Sequence, residues 1–176
     1  MKFLMRFLGK LVASVIVFFN FAGLCEAQSA VVQSKGIVHG GHGYILHLRL
    51  WNCGSVTIAT DIANLPWGQD RLTLAIANPG RSTGVVEPAD AEISDFPDKT
   101  VTISPGNFVD GAVSLDNRFA RSHIYRDLKG AVLFWAYDGR RIKTSANAVI
   151  EPSGGMIRFN DPLKEKLPTP CQGRQN

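Results

Sequence analysis

Residues 44–51 alternate without a slip. Tyr44, Leu46, Leu48 and Leu50 fall on one side, and Ile45, His47, Arg49 and Trp51 on the other. A period of two sorts the leucines onto one face of a β-strand, whereas a helix would scatter them around its axis. The same rhythm returns at residues 56–60, in Leu72, Leu74 and Ile76, in Val101 and Ile103, at 108–115 and at 156–159. Val85-Val86 adds a short edge strand. Between these runs stand turn formers: Asn52-Cys53-Gly54-Ser55, Asn78-Pro79-Gly80, Ser104-Pro105-Gly106, Asp138-Gly139 and Gly154-Gly155. Asp138-Gly139 reads as a hairpin turn into a strand over 142–150. Asn117 reads as the cap of one short helix ending near Leu128-Lys129-Gly130. About eight short strands joined by Gly and Pro turns predict an all-β chain. Its expected form is an antiparallel β-sandwich, possible in an immunoglobulin-like arrangement, or a small barrel, with at most one short helix.

The first 27 residues do not follow that rhythm. Lys2, Arg6 and Lys10 precede an apolar run over 11–24, and Cys25-Glu26-Ala27 offers small residues at the exit. A charged head, a short apolar core and a small-residue exit predict a signal peptide, residues 1–27, cut before Gln28. The run is shorter than the roughly 18 residues of a membrane span, so no stable membrane anchor is expected after cleavage. Removing the leader takes the net charge from +4 to +2. No basic stripe remains to suggest a nucleic-acid partner. Residues 28–160 then form a single domain, followed by a polar, Pro-containing tail over 161–176. The expected location is the periplasm or the outside of the cell. The chain has no Asn-x-Ser/Thr triplet, which favours a bacterial envelope over a glycosylating route.

Of three cysteines the leader takes one, leaving Cys53 and Cys171. In an oxidising compartment two such cysteines are expected to pair, tying the tail to the domain.

Few residues suggest chemistry. His39, His42 and His47 could bind zinc or copper through their imidazoles, and a periplasmic metal-binding protein or metal-dependent enzyme is one reading. Against it, no Asp, Glu or Cys lies between Lys35 and Asn52 to complete the site, and Gly40-Gly41 makes a loose turn. His123 beside Ser122, with Asp116 and Asp127 nearby, lacks the elbow of a serine hydrolase. Glu87, Asp90, Glu92, Asp95 and Asp98 are interrupted by prolines and miss the calcium-loop spacing. No cofactor and no catalytic residue is assigned.

The most informative stretch is 131–137, Ala-Val-Leu-Phe-Trp-Ala-Tyr. One side carries Val132, Phe134 and Ala136, the other Leu133, Trp135 and Tyr137, and both are apolar. A sandwich strand normally keeps one wet face. Either the second face is covered internally, or it awaits a partner. On the second reading Leu133, Trp135 and Tyr137 are the candidate contacts, because Trp and Tyr anchor protein interfaces. The function expected from these features is an exported envelope module that binds another protein without catalysis. A third reading is a surface-filament subunit that donates its apolar start, Ala30-Val31-Val32 and Ile37-Val38, as a strand to a neighbour.

Overall fold

The computed structural model describes residues 30–41, 43–68, 71–78, 85–88, 99–119, 128, 130–141, 150 and 152–171. The leader expected over 1–27 lies outside them, as do His42 and His123. Nine strands dominate, antiparallel throughout, in three open sheets; none closes into a barrel among the described residues. The chain is therefore mostly β and sandwich-like, as the alternation predicts.

The first sheet has the order β1-β2-β7, built from β1 (Ala30–Gly40), β2 (Gly43–Asn52) and β7 (Phe108–Ser114). Leu46, Leu48 and Leu50 of β2 are fully buried, and Ile37 and Val32 of β1 and Val113 of β7 share their face. β1 is a strand that alternation misses. Its register against β2 shifts between Ser34 and Gly36, so Lys35 bulges out and the inward side chains change phase. The segment considered as a donated filament strand is thus paired within its own chain.

The four-stranded sheet runs β5-β4-β8-β9, from β5 (Val85–Val86), β4 (Leu72–Ala77), β8 (Val132–Tyr137) and β9 (Ser153–Arg158). Leu72, Leu74 and Ile76 meet Leu133, Trp135, Tyr137 and Ile157 in the same hydrophobic core as the first sheet. A two-stranded ribbon, β3 (Ile58–Asp61) with β6 (Thr100–Ile103), joins that core through Ile58 and Ile103.

Two details differ from the expected pattern. The helix, α1, spans Leu115–Arg118, and its cap is Ser114, whose hydroxyl accepts from the Asn117 N–H at 3.4 Å. Strand β8 is followed by a 3-10 turn, Gly139–Arg141, and its antiparallel partner is β9; the strand expected over 142–150 lies outside the described residues apart from buried Ile150.

Cys53 and Cys171 are joined by a disulfide across 118 residues. Such bonds persist in oxidising compartments, which puts the chain outside the cytoplasm. Among the described residues no helix is long and apolar enough to cross a membrane.

Candidate partner-binding face

Leu133, Trp135 and Tyr137 are 0%, 5% and 1% exposed. They point inward, so the three contacts considered at a partner surface are core residues instead. Cross-strand pairing accounts for the choice of face. Trp135 lies opposite Gly155, where a Cβ would come within 3.1 Å of its Nε1, so the glycine makes room for the indole. Tyr137 donates its hydroxyl to the Asn64 carbonyl at 2.8 Å, and burial pushes its phenol well above the ordinary value. Among the described residues Trp135 Nε1 finds no hydrogen-bond partner, which costs stability.

The other side of β8 is the open one. Reading across the register gives three rows: Val85, Ala77, Val132 and Arg158; Ala75, Phe134 and Met156; Thr73, Ala136 and Gly154. Phe134 is 44% exposed, Met156 73% and Val85 62%. Only Thr73 and Arg158 bring polar side chains to these rows. Exposed Phe134 and Met156 on adjacent strands, with Val85 at the sheet edge and small residues between, are unusual for a solvated sheet face.

The outer face of the first sheet is built differently. Arg49 of β2 lies opposite Asp110 of β7 and donates to both its carboxylate oxygens, at 2.6 and 2.8 Å. Lys35 reaches the same carboxylate at 3.3 Å. The Arg49 guanidinium stacks on the Phe108 ring at 3.5 Å, and Phe108 in turn packs on Trp51 with centroids 4.7 Å apart. Charge and aromatic surface here satisfy each other, as they should on a face that meets water.

The histidines are not drawn together. His39 pairs with Tyr44 and shares its face, with ring centroids 4.4 Å apart, while His47 pairs across from Gly36 and Ala112 on the opposite face. Register therefore separates His39 from His47 by the thickness of the sheet. His42 lies outside the described residues, and among those described no group of three His, Cys, Asp or Glu could hold a metal ion. Gly40 and Gly41 belong to the β1–β2 hairpin. Its far side is fastened by Asp116, whose carboxylate accepts from the Tyr44 N–H at 3.0 Å and fills the space beside Gly43. Of the acidic group only Glu87 is described.

Alternation names Leu133, Trp135 and Tyr137, which are buried, and passes over Phe134, which is exposed. The missing information was the partner strand: only pairing with β9 reveals that Gly155 faces Trp135 and Met156 faces Phe134. No known protein family matches the chain, and no curated protein matches it.

Proposed function

We propose that this protein is an exported module of the bacterial envelope, periplasmic or secreted, that binds another protein without catalysing a reaction. The single observation that carries the reading is the bare apolar outer face of β4, β8 and β9, with Phe134 and Met156 exposed at its centre. The charged leader and the Cys53–Cys171 disulfide support an extracytoplasmic setting.

The dimensions of the face narrow the partner. Six-residue strands at about 3.3 Å per residue, three across at about 4.8 Å, make a patch of roughly 300 Å². A stable symmetric dimer usually needs about 800 Å² from each copy, so the patch is too small for two copies packed only through it. It matches one amphipathic helix, about 10 Å wide, laying an apolar stripe across the sheet from a different protein. Photo-crosslinking in whole cells tests this. A crosslinker at Phe134 should give one discrete adduct heavier than the chain, lost on Met156→Asp, while one at Asp110 on the other sheet gives none. No adduct at Phe134, or one with the mass of two copies, would overturn the proposal.

A further inference from the structure

The tail leaves the sandwich by a turn at Arg158, whose carbonyl accepts from the Asp161 N–H at 3.1 Å, and crosses β1 at its bulge. Three features of β1 receive it. The carbonyl of bulged Lys35 accepts from the Lys164 N–H at 2.8 Å. Gly36 stands at φ +134°, and a Cβ there would come within 3.3 Å of the Leu163 Cα, so the missing side chain is what lets the tail approach. Gln33 donates its Nε2 to the Pro168 carbonyl at 3.2 Å. The orientation of that amide is set from behind: Trp51 Nε1, which can only donate, binds Gln33 Oε1 at 2.8 Å, turning the NH2 toward the tail.

All three features belong to the strand and its neighbour. The tail itself contributes backbone atoms and one leucine, and nearly all of its side chains are exposed. Beyond these contacts, what fastens it is the Cys53–Cys171 bond, a chemically reversible link. We infer that the β1 bulge is a binding site for an extended peptide, filled by the chain's own residues 161–170 while the disulfide is closed and vacated when it is reduced. Its ligand is an extended, proline-containing segment of a partner that presents an apolar residue to Gly36, the next backbone N–H to Lys35 and a carbonyl four residues later to Gln33.

The reductant is a dithiol, such as dithiothreitol or a reduced thiol–disulfide oxidoreductase. One of its thiolates attacks a sulfur of the bridge and forms a mixed disulfide. Its second thiol then closes the reductant's own disulfide, and two electrons and two protons end on Cys53 and Cys171 as thiols.

A labelled peptide of residues 161–170, which contains no cysteine, tests this on the full chain by fluorescence anisotropy. The tethered tail competes with it in the oxidised protein, so reduction with dithiothreitol should tighten apparent binding by about tenfold or more. Gly36→Val should abolish binding by the reduced chain. Equal binding by both redox forms, or none by a reduced chain that keeps its β-sheet circular dichroism, overturns the inference. If reduction unfolds the domain, the oxidised Leu163→Asp variant, whose tail is loosened with the bridge intact, must bind the peptide; failure there overturns it as well.

Discussion

Asn52 is polar, at the end of β2, and 0% exposed. Burial of an amide is tolerable only when its donors and acceptor are matched. Here Nδ2 donates to the Val56 and Ile103 carbonyls at 2.8 and 2.9 Å, and Oδ1 accepts from the Gly54 N–H at 3.0 Å. Its backbone is used too: the N–H donates to the Asn107 carbonyl and its own carbonyl accepts from Gly106 N–H. One side chain thus joins the first sheet to the β3–β6 ribbon. Asn52→Ala withdraws three side-chain bonds at once, and urea unfolding should register a loss of about 3 kcal/mol. A loss below about 1 kcal/mol would mean that water replaces those bonds and that the joint is not set by this residue. Composition reads Asn52 only as a turn former; its role as a joint depends on a strand fifty-one residues away.

At the scale of the strand, the ion pair between β2 and β7 carries a pH dependence. The bonded Arg49 guanidinium holds the Asp110 carboxyl below its usual range, against the opposing effect of partial burial, and Lys35 assists. A depressed carboxylate pKa stabilises the fold above the unfolded value near 3.9, and this contribution fades as pH falls through the folded value. Asp110 is half-exposed, so the contribution is at most about 1 kcal/mol. The acid limb of melting temperature against pH should therefore be shallower in Asp110→Asn than in the parent, with the two curves converging as pH falls below the ordinary carboxylate range. Parallel curves from pH 7 to pH 2 would show that the pair adds nothing.

What was legible in the chain follows the same scale. Strands β2, β4 and β6 announce themselves because one side is apolar and the other polar. β1 does not, since the bulge at Lys35 breaks its phase and a single glycine conceals the reason. β8 is plain as a strand but silent about its orientation, because alternation between two apolar sets carries no sign. The disulfide was legible from cysteine count and compartment. The bare face was not, because it is assembled from β4, β8 and β9, and no local pattern pairs residue 134 with residue 156.

For the molecule as a whole, the bridge between Cys53 and Cys171 spans most of the described residues. Closing so long a loop restricts the unfolded chain and stabilises the native one by about 4–5 kcal/mol in the chain-entropy picture. Guanidinium unfolding with and without dithiothreitol should show a drop of that order, and the Cys53→Ser, Cys171→Ser double variant should match the reduced protein. Equal midpoints with and without reductant would indicate that the bridge fastens the tail and leaves global stability untouched.

Position along the chain also sets timing. Every described strand ends before residue 160, and the second cysteine follows at 171. Synthesised from the N-terminus, the polypeptide presents the thiol at position 53 long before its mate. All the residues of the described strands are therefore made before the bond has both of its sulfurs. It is a final stitch, placed on strands that all precede it in the chain.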